Sequence, residues 1–270
     1  MDMVFGKLIG QGRTAEVYEY STDKIIKLFR KGIPANIIKN EYRISLELYK
    51  KGFPVAKAFD LIEYDERCGI VYEKINGISM LKYISSKPWK INAEARRLAE
   101  LHKSIQKDIE IKIPNQKDRL KGDIARTDLL HNEVKDKLYR YIDNLKSDNI
   151  LCHGDFHPDN ILIAKKKVVV IDWMTATKGN PLADIARTSV IFKYAYIPEE
   201  KSFIEKKIIN SVRNKFYSAY INQYLQISNT SIEEIEKWEL PVAAARLTEW
   251  LPENEKQILL KCVNSKVQEI

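Results

Sequence analysis

The 270-residue chain carries 45 Lys and Arg against 37 Asp and Glu, a net charge of +8, with 44% hydrophobic and 30% charged residues. That balance is ordinary for a globular protein of one large domain or two lobes, and no apolar run approaches the ~20 residues that cross a bilayer. Three scattered cysteines, Cys68, Cys152 and Cys262, argue against a disulfide framework and for a reducing, cytoplasmic setting. The start, Met1 to Gly6, has neither a basic leader nor a signal-like apolar core.

Val4 to Ile9 alternates as a strand, and Glu16 to Tyr20 reads as the next. Between them lies Gly10-Gln11-Gly12-Arg13-Thr14-Ala15. Glycines in such a loop let backbone approach phosphates closely, although an ordinary hairpin turn would use the same residues. It is not a Walker A loop, since no Gly-Lys-Ser/Thr ends it, nor a dinucleotide fingerprint, since no helix follows. Asp23 to Phe29 is a third strand. Lys27 sits in its apolar middle, where a lysine is edge-exposed or aimed at a ligand; Lys24 begins the strand and is expected in solvent. Pro34 opens a helix whose apolar stripe is Ile37, Ile38, Tyr42, Leu46 and Tyr49. Glu41 lies on that helix between Lys39 and Arg43 and reads, by itself, as solvent-facing.

Gly52-Phe53-Pro54-Val55 turns the chain. Ala58 to Tyr64 and Gly69 to Lys74 are strands around the turn Asp65 to Cys68, and Ile75-Asn76-Gly77 breaks the pattern. Helices follow: Ile78 to Ser85, then Lys90 to Lys107 with Ala95, Leu98, Ala99, Leu101, His102 and Ile105 inward. His102 reads as a packed helix histidine. Ile109 to Asp123, broken by Pro114, reads as a surface loop, and Ile124 to Lys146 as another helix.

Asn149 to Cys152 can end as a strand. The loop His153-Gly154-Asp155-Phe156-His157-Pro158-Asp159-Asn160 comes next, followed by strands Ile161 to Ile163 and Val168 to Ile171 around a turn from Ala164 to Lys167. The hairpin returns Asp172 towards the start of its first strand, so Asp155, Asn160 and Asp172 are expected in one small volume. Phosphoryl transfer needs such a trio: a carboxylate to orient a hydroxyl, and oxygen ligands for Mg2+. Cys152, His153 and His157 are near neighbours in sequence, but their spacing fits no common zinc pattern. The basic excess reads as a lysine-rich solvated surface. Its densest cluster, Lys165 to Lys167, lies in a turn without interleaved aromatics, so neither a nucleic-acid nor a membrane partner is expected. Asp184 opens a helix after Gly179-Asn180-Pro181. Phe203 to Leu225, Ser231 to Leu251 with a break at Pro241, and Glu253 to Val267 complete a helical remainder without repeats.

The loop His153 to Asn160 with Ile171-Asp172-Trp173 resembles the H-G-D-x-x-x-x-N and I-D-W segments of the aminoglycoside phosphotransferase family. That family is a branch of the protein-kinase-like fold and includes choline, methylthioribose, homoserine and fructosamine kinases. The resemblance extends to Gly10, Gly12, Lys27 and Glu41 in the same order, and to the G-x-P-x-x-D segment ending at Asp184; it departs where Ala15 replaces a third glycine. It implies an α+β, bilobal fold with an antiparallel N-lobe of residues 1–76, nucleotide-binding, and a mainly helical C-lobe of residues 77–270, catalytic and acceptor-binding. It implies Asp155 as catalytic base, Asn160 and Asp172 as Mg2+ ligands, and Lys27, paired with Glu41, on the ATP phosphates. It further implies the Glu73 carbonyl and Ile75 amide on adenine with Tyr72 behind, and His153 and Asp184 as braces of the loop. The expected activity is ATP-dependent phosphorylation of a hydroxyl on a small molecule. A protein kinase is disfavoured, because no D-F-G, activation loop or A-P-E is present. A pseudokinase or nucleotide-gated binding module is the alternative, against which the full set of catalytic side chains argues. Glu249 and Glu253-Asn254-Glu255 could meet a cationic acceptor, or simply form a solvated helix end.

Overall fold

The computed structural model describes residues 5–165 and 167–270. Val4 of the expected first strand, the start of the segment Met1 to Gly6, and Lys166 of the lysine cluster lie outside the described residues. In chain order come β1 (Leu8–Gln11), β2 (Ala15–Glu19), β3 (Lys24–Phe29), α1 (Ala35–Lys50), β4 (Ala58–Tyr64) and β5 (Arg67–Glu73). Next are β6 (Gly77–Ser79), α2 (Met80–Ser86), α3 (Ile91–Ile105), α4 (Gln116–Arg126), α5 (Asn132–Asn144) and β7 (Ile150–Cys152). β8 (Ile161–Ala164), β9 (Val168–Val170), β10 (Thr177–Gly179), α6 (Pro181–Tyr194), α7 (Phe203–Ser228), α8 (Ile232–Arg246) and α9 (Glu253–Lys266) follow. The chain forms two compact units. The first runs to Tyr83 and takes in Pro158–Ala176; the second holds Ile84–His157 and Thr177–Ile270.

In the first unit, five antiparallel strands lie in the order β1-β2-β3-β5-β4. The β4–β5 hairpin turns on Asp65 and Glu66 alone, at φ 47° and 58°. Two left-handed residues give the turn whose twist matches paired strands, so β5 begins at Arg67, earlier than the expected Gly69. α1 buries Ile38, Glu41, Ile44, Ser45 and Leu48, whereas Tyr49 is 43% exposed. The inward face is thus rotated from the expected stripe, because Glu41 must face the sheet to meet Lys27. Phe29, Ile38, Ala58, Ile70, Tyr72 and Val169 make the core here, with Leu162, Ile171 and Met174 packed against it.

A second sheet, β6-β8-β9, belongs to this unit. Gly77–Ser79 is therefore a strand where a helix from Ile78 is expected, and helix α2 starts only at Met80. Three residues carry too little pattern to show a strand, and its partner lies far downstream, at Leu162–Ala164. A Cβ on Gly77 would come 2.5 Å from the Ile163 carbonyl oxygen, so the pairing requires glycine.

In the second unit α3 packs along α7 and α6 along α8. The expected surface loop from Ile109 to Asp123 instead contains most of α4. Asn115 caps it, its side chain accepting from the backbone N–H of Lys117 (2.9 Å) and Asp118 (3.2 Å), and Pro114 stands outside the helix rather than breaking it. The expected single helix from Ile124 to Lys146 splits, with α5 beginning at Asn132. Pro241 does not break α8. Its missing N–H frees the Lys237 carbonyl one turn back, and the Tyr141 hydroxyl donates to that carbonyl at 3.0 Å.

Contacts on both sides of the loop that starts at His153 help to hold it. First, β10 pairs with β7, and Gln116 of α4 grips the residue after β10. Asn180 N–H donates to Gln116 Oε1 (2.9 Å), and Gln116 Nε2 donates to the Asn180 carbonyl (3.2 Å). Second, the buried Asp184 accepts backbone N–H groups of His153 and Gly154, each at 2.7 Å. His102 Nε2 lies 3.0 Å from the same carboxylate, and the Tyr220 hydroxyl 2.8 Å from His102 Nδ1. Gly154 takes φ 80°, a conformation that favours glycine. Burial pushes the Asp184 carboxyl up, but His102, His153 and the Gly154 amide outweigh it and hold the group below the usual range.

Gly179→Ala should destabilise the second unit by about 1–3 kcal/mol, because the new Cβ would lie 2.4 Å from Gln116 Cβ. A lower urea midpoint at unchanged slope would report it. Asp184→Asn should cost about 3 kcal/mol at neutral pH, since it breaks a buried charged network. The folded carboxyl titrates below its unfolded value of about 3.9, so its contribution is complete above that value and is lost as pH falls through the folded one. Urea titrations of parent and variant should therefore converge at acid pH.

Candidate active site

β3 places Lys27 opposite Val17 of β2 and Ile70 of β5, at the centre of the sheet. Its neighbours Ile26 and Leu28 are buried on one face, so the period of two turns Lys27 to the other face. There its Nζ donates to Glu41 at 2.7 and 3.0 Å and to Asp172 Oδ1 at 2.9 Å. Glu41 is 1% exposed and also accepts from the Tyr72 hydroxyl at 3.2 Å. Burial alone would lower the Lys27 pKa, but Asp172 and Glu41 reverse this and hold it above the ordinary lysine range. Burial raises the Glu41 carboxyl against the pull of Lys27. Lys24, at the strand start, lies over the Phe59 ring at 4.7 Å rather than fully in water.

Asp172 follows β9 at φ 66°, in the left-handed region that turns its side chain out of the strand. Its carboxylate is 35% exposed. The Ile171 N–H donates to the Asn160 carbonyl at 3.0 Å, so the hairpin register sets Asn160 and Asp172 at one end of β8 and β9. In the glycine loop, Gly12 N–H donates to the Ala15 carbonyl (2.8 Å), and Arg30 N–H donates to the Thr14 carbonyl (2.8 Å). Gly10 lies in β1, paired with Val17, so the expected loop of Gly10 to Ala15 narrows to residues 12–14; a Cβ on Gly10 would touch Val17 at 3.5 Å, and one on Gly12 would meet only the Ala15 oxygen at 3.7 Å. Neither position is forced to be glycine by its neighbours within the chain.

Glu73 ends β5, and its side chain accepts from Lys167 Nζ (3.0 Å) and the Lys57 N–H (3.2 Å). Ile75 accepts the Gly77 N–H through its carbonyl at 2.9 Å. Tyr72 is buried in the first unit's core, its hydroxyl near Ser45 as well as Glu41.

The second unit holds Asp155, and the chain passes to the first between His157 and Pro158. The Asp155 N–H donates to Nδ1 of buried His153 at 3.2 Å. The Asp155 carboxylate is 27% exposed and meets Arg187 Nη2 at 3.0 Å and His157 Nε2 at 3.3 Å. Burial opposes ionisation, but Arg187 and then His157 hold this carboxyl well below its usual range. Phe156 stacks on His102 with centroids 3.9 Å apart, and its carbonyl accepts from Thr188 at 2.7 Å. Both carboxylate partners escape a reading by residue type alone. Arg187 stands three residues after Asp184 on α6, on the same helical face, and that spacing is the available signal.

Glu249 and Glu255 are not free to receive a cation. Glu249 binds Arg187 and, at 3.4 Å, Arg246; Glu255 is buried and binds Arg246 at 2.5 Å. Cys152 is buried in β7. Among the described residues, no three His, Cys, Asp or Glu side chains gather as a metal-binding group, and no helix is long and apolar enough to cross a membrane.

Residues 6–211 match the family model described as the phosphotransferase enzyme family. The aminoglycoside phosphotransferase APH(4)-Ia superposes with a TM-score of 0.69 at 11% identity, over 97% of this chain and 92% of that one. Choline kinase LicA from Streptococcus pneumoniae gives 0.62 at 16% identity, over 100% and 95%. These likenesses show the fold: the bilobal protein-kinase-like architecture, an antiparallel sheet followed by a mainly helical remainder. Over 58 residues the chain is 36% identical to acyl-CoA dehydrogenase family member 11 of Rattus norvegicus. That match covers 20% of this chain and only 7% of the much longer relative. With three quarters of its length inside one family model, the chain belongs to the phosphotransferase enzyme family.

Proposed function

We propose that this chain is an ATP- and Mg2+-dependent kinase that moves the γ-phosphate of ATP to a hydroxyl of a small molecule. The observation that carries the reading is Lys27, held between Glu41 and Asp172. A lysine fixed as a cation by two carboxylates is suited to the α- and β-phosphates, and the pairing with a helix glutamate is what phosphate-binding kinase lysines require. Gly10 and Gly12 fit the same role: the chain around them does not demand glycine, whereas close approach of a phosphate to backbone would. The Glu73 carbonyl and Ile75 amide are assigned to adenine. On this reading residues 1–76 serve the nucleotide and residues 77–270 catalysis and the acceptor. Crystals of APH(4)-Ia hold ADP or AMP-PNP with hygromycin B, and LicA is a choline kinase, which supports nucleotide and small-acceptor use.

Asn160 and Asp172 fit a magnesium ion. Both offer hard oxygen donors, the Ile171 N–H just before Asp172 donates to the Asn160 carbonyl, and the Asp172 carboxylate is partly open. When bound, the ion would supply charge neutralisation on the phosphates. Asp155 orients the acceptor hydroxyl and receives its proton. Its depressed pKa keeps it ionised, which suits a loose transition state in which the hydroxyl is aimed first and loses its proton late. His153 and Asp184 hold the loop backbone and move no proton. A cytoplasmic setting accords with three free cysteines.

In a coupled ATP-consumption assay over aminoglycosides, amino alcohols, sugars and hydroxy acids, Asp155→Asn should lower kcat about a thousandfold while leaving ATP affinity within about threefold. Lys27→Ala should instead weaken ATP binding. Normal turnover by Asp155→Asn would overturn the assignment.

A further inference from the structure

The backbone and the carboxylate of Asp155 are held by different means. α6 pins the backbone around it: Asp184 accepts the N–H groups of His153 and Gly154, and the Thr188 hydroxyl donates to the Phe156 carbonyl. These bonds leave the side-chain torsions of Asp155 open. The carboxylate is aimed by side chains, with Arg187 Nη2 on Oδ1 at 3.0 Å and His157 Nε2 by Oδ2 at 3.3 Å. Arg187 is itself a long side chain with several rotatable bonds, so its head must be fixed before it can fix anything else. Its Nε is buried without an acceptor. Among the described residues the guanidinium is therefore anchored at its two ends, by Asp155 at Nη2 and by Glu249 at Nη1. Without Glu249, the group left to position Arg187 would be the very carboxylate that Arg187 positions.

Glu249 is held in turn from behind. Its other oxygen lies 3.4 Å from Arg246 Nη1, Arg246 Nη2 meets Glu255 Oε1 at 2.5 Å, and Glu255 Oε2 accepts the Tyr196 N–H at 3.0 Å. Arg246 and Glu255 are buried. The chain of alternating charges thus has a sealed end at the start of α9 and a partly open end at Asp155. We infer that Glu249, acting through Arg187, is a positioning residue for Asp155: together they fix the direction in which its carboxylate faces the acceptor hydroxyl. The inference rests on the phosphotransferase reading and gives that site a support drawn from the segment between α8 and α9. A guanidinium suits the link where an ammonium does not, since its planar fork can hold one carboxylate at each end.

Glu249→Gln keeps the shape of the side chain and removes the charge that holds Arg187. It should lower kcat about tenfold or more, as a slightly misaimed reacting group does, with the KM values for ATP and acceptor within about threefold. Arg187→Lys keeps a charge without the fork and should lower kcat at least as much. In an Asp155→Asn background, Glu249→Gln should have no further effect on the residual rate. An unchanged kcat in Glu249→Gln, or the same loss in both backgrounds, would overturn the inference. So would a raised acceptor KM at unchanged kcat, which would mark Glu249 as a contact to substrate. Urea unfolding gives a readout without turnover. The midpoints of Glu249→Gln, Asp155→Asn and the double variant should be non-additive, and should become additive in an Arg187→Met background. Additive midpoints with Arg187 present would sink the positioning chain. Coupled midpoints in a protein that phosphorylates no acceptor would sink the phosphotransferase reading and leave the link from Glu249 to Asp155 standing.

Discussion

Glu41 carries a carboxylate into the core of the first unit, and Lys27 makes that tolerable. An unpaired charge in such a place costs several kcal/mol, so the two side chains must meet. Their contact sets the rotation of α1 on the sheet and the placement of β3 beneath it. It also reaches the end of β9, because the same ammonium group holds Asp172. One buried ion pair thereby ties together strand, helix and hairpin end, three parts of the chain that are distant in sequence.

The second unit applies the same rule twice, with different results. Asp184 is sealed and spends its oxygens on two backbone amides and a histidine, so it fixes where the loop backbone runs. Asp155 is partly open, and its partners are side chains. A carboxylate held by Arg187 and His157 stays ionised without being sealed, as the hydroxyl-orienting role proposed for it requires. Arg187 also binds Glu249, which lies between α8 and α9, and Arg246 binds Glu249 and Glu255 of α9. Charge pairing therefore decides how open each carboxylate is and which groups it meets.

Much of the site was legible because its chemistry is local. The residues from His153 to Asn160, the segment at Asp172 and the run Gly179 to Asp184 each carry their pattern within a few positions, as does Lys27 inside an apolar strand. Elements that depend on distant partners were harder to read. β6 and β10 are three residues each, and their identity as strands comes from β8 and β7. α4 was hidden by Pro114 and a polar composition, although Asn115 is an ordinary cap. Pro241 breaks no helix because a tyrosine from α5 satisfies the carbonyl it frees. No single-segment pattern contains that tyrosine.

The sequence by itself determined the order of elements around the loop and the family that these segments resemble. These follow from residue type and short spacing, which local backbone chemistry dictates. Only the tertiary structure decided which charges meet. Glu41 reads as a solvent-facing helix residue until the sheet is placed beneath it, and Glu249 reads as a possible cation site until Arg187 and Arg246 are seen to occupy it. Pairing of buried charges is a property of the folded interior, where desolvation makes each partner obligatory, and linear spacing does not encode it.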